Sequence, residues 1–337
     1  MCVCNECFFG TRCQLSTKGL GSSLDAIIGY QIQTHTRFNA QPFSVKLTMI
    51  ITMLILAFGL INGFLVFVTF YSQQHRNTGC CIYLFASSIS SCLITVMFTL
   101  KFWILLFSQM SLIMNWSFLS IQCVSIDFLL RIFSTMNNWF NACVAVERAM
   151  TLSQGVRFNK NKSKQAAKWV LLGLSLFIIL TSIHEPIYRR LIEDIEEQRI
   201  WYVVIYSKSF DIYNNTMHLF HFLLPFLINI ISAIFIIITL ARQRAVSRRH
   251  LSYRELFRRE LQQHKHLLVS PLALVIIALP RLIIAFSSAC MNSARDPWLF
   301  LSGYYISLIP SMVTFFIFII PSSMYKNQFL QSLSRIR

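Results

Sequence analysis

Seven long apolar segments constrain this chain more than any other feature of its sequence. Each is about as long as the roughly 20 residues that an α-helix needs to cross the hydrocarbon core of a membrane. The segments neither alternate in polarity nor contain Gly or Pro clusters, so helices are favoured over barrel strands. The predicted spans are Leu47–Tyr71, Cys80–Leu100, Ile121–Met150, Ala166–Ile183, Met217–Leu240, Leu267–Cys290 and Trp298–Ile320.

Composition argues against a soluble enzyme. Charged residues make up 13% of the chain and hydrophobic residues 55%, whereas soluble domains carry roughly 25% charged residues. The net charge is +17, which in a soluble protein would indicate nucleic-acid binding. Here the basic residues stand in short runs between apolar segments, which indicates membrane topology instead. We therefore expect a lipid bilayer as partner, and no nucleic acid, cofactor or metal.

The distribution of Lys and Arg predicts the orientation in the membrane. One set of connecting segments carries 17 of these residues and the opposite set carries 6. Because strongly basic loops stay in the cytoplasm, the N terminus is predicted outside the plasma membrane and the C terminus inside. The sequons at Asn115 and Asn214 then fall outside, where glycosylation takes place.

Three regions follow from this topology. Residues 1–46 are expected to form a poorly ordered extracellular tail, residues 47–321 a seven-helix transmembrane domain, and residues 322–337 a cytoplasmic segment. An apolar stripe at helical spacing in the last segment predicts a short amphipathic helix on the membrane surface. The predicted fold class is an all-α integral membrane protein with a seven-transmembrane helix bundle.

The third span carries the most specific motif. It ends in Glu147-Arg148-Ala149, and Cys123 lies 25 positions before the arginine. This end resembles the Asp/Glu-Arg-Tyr motif of rhodopsin-like (class A) G-protein-coupled receptors, with Cys123 at the family's spacing for its outer cysteine. Trp116-Ser-Phe118 is similar to the family's Trp-x-Phe outer loop. Within that family the sequence resembles divergent invertebrate orphan receptors, several of them similar to neuropeptide receptors of the FMRFamide type.

Residues at the family's helix markers extend the resemblance to about residues 47–337. The matching residues are Asn62 in the first span, Pro225 in the fifth, Pro280 in the sixth and Pro321 in the seventh, with Tyr325 one place late for the motif after Pro321. The resemblance implies a receptor that binds an extracellular ligand, best explained as a peptide, and activates a heterotrimeric G protein. It implies no enzymatic activity.

At the cytoplasmic end, Glu147, Arg148 and Glu260 are the candidate residues for coupling and activation. Glu260 lies 20 residues before Pro280, where the family has a carboxylate that bonds the arginine in the resting state. An Arg–carboxylate pair of this kind is charge-assisted and can be bidentate. The alternative is that all three residues are interfacial charges in contact with water and lipid headgroups.

A polar ligand pocket is the hypothesis for the outer half of the bundle. Asp127 and Arg131 are one helical turn apart and share a face, while Arg281 follows Pro280 within an apolar segment, where a lone cation needs a cavity or a counter-ion. His221 is expected to line the same pocket. The alternatives are a salt bridge from Asp127 to Arg131 or Arg281, and a histidine that only bonds a neighbouring hydroxyl or carbonyl.

The chain also departs from the family. The second span contains no acidic residue, so Ser88 or Ser90 stands in place of the sodium-binding carboxylate, and Ile277-Ala-Leu-Pro280 lacks the toggle tryptophan. The second outer loop has no Cys, which leaves Cys123 without its usual partner; Cys13 and Cys290 are the candidates. These departures sustain the alternative of a degenerate, uncoupled seven-helix protein. A transporter or channel is less favoured, because no internal repeat or mid-membrane acidic chain is visible.

Overall fold

Helices dominate the computed structural model of the chain. In order they are α1 (Leu24–Ile28), α2 (Phe43–Phe70), α3 (Gly79–Gln109), α4 (Trp116–Gln154), α5 (Lys160–Ser182), α6 (His184–Tyr188), α7 (Lys208–Ser247), α8 (272–280), α9 (Pro297–Met312) and α10 (Ser323–Ile336). A π-helix (Phe315–Ile319) follows α9, and 3-10 turns lie at Phe38–Ala40 and Gly155–Arg157. The structure describes residues 8–9, 15–16, 24–29, 31–34, 36–70, 78–110, 112–113, 115–194, 199–247, 272–280, 282–283 and 297–336.

Two short antiparallel hairpins accompany the helices. β1 (Phe8–Phe9) pairs with β2 (Leu15–Ser16). β3 (Arg189–Asp194) pairs with β4 (Arg199–Val204), with Arg189 opposite Val204. β3 continues directly from α6 and contacts α4, while β4 contacts α3. This hairpin therefore covers one end of the helix bundle.

Five helical segments within the described residues are long and apolar enough to cross a membrane. They are Phe43–Phe70, Gly79–Gln109, Trp116–Arg157, Lys160–Tyr188 and Lys208–Leu240. In α2 the polar side chains of Thr48, Thr52 and Asn62 are buried, whereas the large side chains of Phe58 and Phe64 are exposed. A helix in lipid turns its apolar face outward and satisfies its polar groups inside the bundle, so this distribution is that of a membrane helix.

α3 holds the centre of the packing. It contacts α2, α4, α5 and α9, and α4 in turn packs along α7. Small residues allow α2 and α3 to approach closely: a Cβ at Gly63 would overlap the Cys92 sulfur, and one at Gly59 would overlap Thr95. Because lipid offers no hydrophobic drive for helices to associate, this kind of close van der Waals packing holds membrane helices together.

The described part of the N-terminal tail is packed, which differs from the expectation of a poorly ordered segment. Leu24, Ile27, Ile28 and Ile32 are each buried at 2% exposure or less and join the apolar core at the outer end of the bundle. These four apolar side chains lie outside the predicted spans. Their burial stabilises the docking of this short segment on the bundle.

Helix ends also differ from the predicted spans. α3 continues to Gln109, well past the predicted end at Leu100, so Lys101 lies inside a helix rather than in a loop. The seventh span divides into α9 and the π-helix, and Pro321 lies in the turn after it. α10 confirms the predicted C-terminal helix; Tyr325 is buried on one face, while Leu330 and Leu333 are exposed on another.

Candidate functional site

Six charged side chains form one buried cluster at the end of the bundle that the β3–β4 hairpin covers. Three are acidic and three are basic, and five ion pairs connect them in a chain. They come from α1, α3, α4, α6 and β3, so the cluster joins the tail, three helices of the bundle region and the hairpin. Its members are Asp25, Lys101, Asp127, Arg131, Glu185 and Arg189.

Lys101 stands at one end of this ionic cluster. Its Nζ lies 2.9 Å from Asp25 Oδ2 and also pairs with Asp127 Oδ1. The Lys101 and Asp25 side chains are exposed by only 6% and 3%. A buried ammonium is costly unless it is paired and hydrogen-bonded, and two carboxylates meet that requirement here.

Arg189 links the two halves of the ionic cluster. Its Nη1 donates to Asp127, and its Nη2 donates to Glu185 Oε1 at 2.5 Å. Burial lowers the pKa of the Arg189 guanidinium, but the negative charges of Asp127 and Glu185 raise it by a larger amount, so the net pKa lies above its usual value. Arg189 therefore stays charged and holds β3 against α4 and α6.

Arg131 completes the ionic cluster. Its Nη1 donates to Glu185 Oε2 at 2.9 Å and to Asn214 Oδ1 at 2.8 Å. The predicted pocket residues Asp127 and Arg131 are thus both in place, but each takes partners from other elements. The two residues share a face of α4, but they do not form the salt bridge of the alternative interpretation. Asp127 pairs instead with Lys101 of α3 and Arg189 of β3.

His221 does not face the ionic cluster. Its Nδ1 accepts from Trp139 Nε1 at 3.1 Å, and its Nε2 lies 2.9 Å from Thr181 Oγ1. Because the indole can only donate, Nδ1 is the acceptor and Nε2 carries the proton. Both nitrogens of this buried ring are used to join α4, α5 and α7. This matches the bonded-histidine alternative rather than the pocket hypothesis, and it leaves neither nitrogen for a metal.

The outer sequons and Cys123 differ in their surroundings. Asn115 is exposed and caps α4, with its Oδ1 accepting from Phe118 N at 3.1 Å. Asn214 is half-buried and bonds Arg131, with His184 Nε2 at 3.2 Å from the same oxygen. A glycan fits the first position better than the second. Cys123 is a buried free thiol among the described residues. Its candidate disulfide partners, Cys13 and Cys290, lie outside the described residues.

At the other end of α4, Glu147 meets the N terminus of α3. Ser163 Oγ donates to Glu147 Oε1 at 2.5 Å, and the backbone N–H groups of Gly79 and Cys80 also donate to this carboxylate. A carboxylate at a helix N terminus is stabilised by the unpaired N–H groups and the helix dipole. A Cβ at Gly79 would lie 2.5 Å from Glu147 Oε2, which explains the glycine.

Arg148 points to a different neighbourhood. Its guanidinium carbon lies 5.1 Å from the centre of the Phe318 ring, within cation–π range. Its side chain is 4% exposed and bonds the Cys80 thiol, to which Tyr325 also donates at 3.4 Å. Arg148 therefore touches the second span, the π-helix and, through Cys80, α10.

Asn62 forms the most direct link between the first and seventh spans. Its Nδ2 donates to Ser311 O at 3.1 Å, and its Oδ1 accepts from Phe315 N at 2.8 Å. An unbroken α-helix would pair those two backbone groups with each other. Asn62, one of the predicted helix markers, thus makes a contact between two helices. Pro321 lies in the turn after the π-helix, and Pro310 is the proline inside α9.

The centre of the bundle contains hydroxyls and amides. Ser87 Oγ donates to Asn137 Oδ1 at 2.6 Å and to Asn141 Oδ1 at 3.1 Å, and Ser91 Oγ donates to Asn137 at 3.2 Å. Ser88 and Ser90 are the predicted replacements for the sodium-binding carboxylate, but neither side chain takes part in these bonds. Ser88 instead bonds Gly63 O, and Ser90 bonds a carbonyl of its own helix. The register of α3 decides which serines face α4.

A cavity of about 50 Å³ lies beside this polar centre. Its lining includes Asn138, Asn141, Asn229, Ala278 and Pro310. Ala278 is the residue at the position of the missing toggle tryptophan, so the short side chain borders empty space. Pro225 also lines this cavity and accepts through its carbonyl from Asn229 Nδ2 at 2.9 Å, while the nearby Pro280 is helical and half-buried.

Three of the predicted site residues lie outside the described residues: Glu260, Arg281 and Cys290. The main members missed by sequence reasoning are Lys101, Glu185, Arg189 and Asp25. Lys101 carried a usable signal, because a lone lysine next to an apolar run requires a partner. The predicted second span ends at Leu100, which places Lys101 in a loop, where a single charge is ordinary.

A membrane-embedded bundle with a buried ionic cluster at one end and a buried Glu-Arg pair of residues at the other is the architecture of a seven-helix receptor. The model of the seven-transmembrane receptors of the rhodopsin family matches residues 41–324. The chain belongs to this family and is a multi-pass, class A G-protein-coupled receptor. A comparison with curated proteins found no match.

Proposed function

We propose that this receptor lies in the plasma membrane, binds an extracellular peptide at the ionic cluster and activates a heterotrimeric G protein at the Glu147–Arg148 end. One observation carries the proposal: a single continuous helix, α4, contributes residues to both places. Asp127 and Arg131 bond the outer partners, and Glu147 and Arg148 bond the inner ones.

α4 is suited to connect the two ends. From Asp127 to Arg148 there are 21 helical steps, or about 31 Å at 1.5 Å per residue. A ligand that binds one arrangement of the ionic cluster more tightly shifts the population of α4 positions. The same shift alters the neighbourhood of Arg148, which couples ligand affinity to G-protein affinity in both directions.

The orientation follows from charge. The basic connecting segments face the cytoplasm, which puts residues 1–46 and the β3–β4 hairpin outside, residues 47–321 in the membrane and residues 322–337 inside. The exposed acidic residues Glu193 and Asp211 lie on the outer side. They would draw in a peptide with a cationic portion. Asn115, exposed on the same side, is the better glycan acceptor.

On the inner side, Arg148 is the residue through which coupling is proposed to act. In the resting state a carboxylate from Glu260 would bond it and hold the third and sixth spans together. Release of that bond would open the space that a G protein needs. The exposed apolar face of α10 would rest on the bilayer beside it.

Nucleotide exchange on a panel of G-protein α subunits, in membranes that contain the full chain, tests this proposal. Arg148→Ala is expected to abolish basal and peptide-evoked exchange, and Glu260→Ala to raise basal exchange. Arg157→Ala is the matched control, because Arg157 is an exposed cation on the same side. Equal exchange by wild type and Arg148→Ala would refute the coupling role.

The second candidate is an uncoupled seven-helix protein. It is favoured by the internal neutrality of the ionic cluster, whose three acids and three bases already pair with one another. Silence of wild type toward every G protein and a full peptide library, with surface expression verified, would favour this candidate.

A further inference from the structure

We infer that the outer end of the bundle holds a carboxylate-binding site centred on Lys101, and that the chain's own Asp25 occupies it until a carboxylate-bearing ligand takes its place. This inference rests on the proposed receptor function and adds the chemistry of the ligand. It comes from the contacts of the tail segment 24–32, named here the N-terminal plug.

The charges of the ionic cluster carry the first step. Asp25 Oδ2 lies 2.9 Å from Lys101 Nζ, and Asp25 is the one cluster member that precedes the first span among the described residues. With Asp25 in place the cluster has three acids and three bases. Without it, two acids face three bases in a buried site. Lys101 then keeps only Asp127 as a carboxylate partner, and an excess of buried positive charge is unfavourable, so the vacated site favours an anion.

The N-terminal plug docks as a peptide ligand would. Its apolar side chains, among them Leu24, Ile27 and Ile28, are buried in the outer core. Arg199 Nη1 donates to the backbone carbonyl of Gly29. Gly29 lies against the buried Trp201, where an added Cβ would come within 2.8 Å of ring atom Cζ3. A carboxylate, an apolar side chain and a backbone acceptor are thus recognised together.

The N-terminal plug is also suited to dissociate from the bundle. Its helix α1 has only five residues, far below the length at which a helix is stable by itself. A small cavity of about 10 Å³ lies beneath it, lined by Ile27, Ile28, Gln31 and Trp298 among others. The plug is held by its apolar contacts and by the Asp25–Lys101 pair, so a molecule that supplies equivalent contacts can replace it.

The ligand class follows from what the plug presents. It is a molecule with a free carboxylate next to an apolar side chain, such as the C-terminal residue of a peptide. A tethered segment acts at an effective concentration in the millimolar range. A competing ligand must therefore bind the empty site with a dissociation constant well below about 1 mM, whereas a weak probe is expected to bind only when the plug is disabled.

The test measures the thermal unfolding midpoint of the full chain in detergent, with N-acetyl-leucine as probe and N-acetyl-leucinamide as its uncharged counterpart. Asp25→Ala is expected to lower Tm by about 10 °C, because buried Lys101 loses one of its two carboxylate partners and the ionic cluster gains a net positive charge. N-acetyl-leucine, but not the amide, is expected to restore at least half of that loss. Wild type is expected not to respond.

Two further variants separate the site from general effects. Asp25→Ala combined with Lys101→Met restores the charge balance and is expected to be insensitive to N-acetyl-leucine. Asp211→Ala removes an exposed acid on the same side and is expected to leave wild-type behaviour. Equal responses to acid and amide, or an equal response in the double variant, would overturn the inference.

Gly29→Ala covers the case in which Asp25→Ala fails to fold. The added Cβ would overlap the Asp25 backbone oxygen and would lie 2.8 Å from Trp201 Cζ3, so the substitution disturbs both the turn of the plug and its contact with Trp201, and it leaves all charges in the chain. Its Tm is expected to rise with N-acetyl-leucine and not with the amide; no response would again overturn the inference. None of these readouts uses a G protein, so failure of the proposed coupling and failure of this site give different results.

Discussion

The contact of Asn62 with the seventh span predicts a large and specific loss of stability on substitution. The amide bonds Ser311 O and Phe315 N, two buried backbone groups that belong to consecutive turns of one helix. Asn62 is 1% exposed, so water does not replace it. In Asn62→Ala both backbone groups lose their partner at once.

The magnitude follows from the cost of unsatisfied groups. Each buried polar group left without a partner costs about 1–3 kcal/mol, so Asn62→Ala is expected to cost roughly 2–5 kcal/mol. At about 2–4 °C per kcal/mol for a large domain, Tm of the detergent-solubilised protein should fall by roughly 5–15 °C. Asn62→Asp should be no better, because an ionised carboxylate accepts from Phe315 N but cannot donate to Ser311 O.

Thr48→Val is the matched control in the same helix. Thr48 is also buried, but its Oγ1 donates to Ser44 O of its own turn, at 2.8 Å, and its further partner is the Tyr305 hydroxyl rather than a backbone group, so we expect a smaller loss than in Asn62→Ala. A Tm of Asn62→Ala within 2 °C of wild type would refute the reasoning. It would mean that Ser311 and Phe315 close their own helical hydrogen bond when the amide is removed.

Three more predictions use the same thermal assay or its pH dependence. His221→Phe leaves the Trp139 indole without its acceptor, while the Thr181 hydroxyl keeps its bonds to Phe177 O and Ile178 O, so the change should cost about 1–3 kcal/mol; an unchanged Tm would contradict that role. Ala278→Leu extends into the cavity of about 50 Å³ and should raise Tm by filling it, whereas a fall in Tm would contradict this account of the cavity. Burial raises the pKa of Tyr206 to about 12; because the folded state then holds the proton more tightly, stability falls as pH rises from about 10 to 12, and Tyr206→Phe should flatten that part of the curve.

The ionic cluster shows how far residue spacing leads. The i, i+4 spacing placed Asp127 and Arg131 on one face of α4, and both indeed lie in the cluster. Their partners come from residues 26 positions before Asp127 and 54 positions after Arg131. No local pattern contains such distances, because they depend on how α3 and α6 are set against α4.

The seventh span illustrates the same limit from the side of helix geometry. A proline in a sequence predicts a break or kink, and the predicted seventh span contains Pro310 and is followed by Pro321. In the structure the chain ends its span before Pro321, and the irregular turn lies at Phe315–Ile319. The amide of Asn62 from the first span holds the turn open, so a residue some 250 positions away decides where the helix departs from regularity.

Sequence alone determined the class of this protein. Long apolar segments, charged residues concentrated in the connections and the Glu147-Arg148 end of the third span are one-dimensional patterns, because a bilayer sorts residues along a single axis. Tertiary structure decided which polar groups meet. Inside lipid each buried charge and amide must find a partner across helices, and the choice among Asp25, Asp127 and Glu185 for three cations depends on rotation and register of the packed helices, which no window of sequence contains.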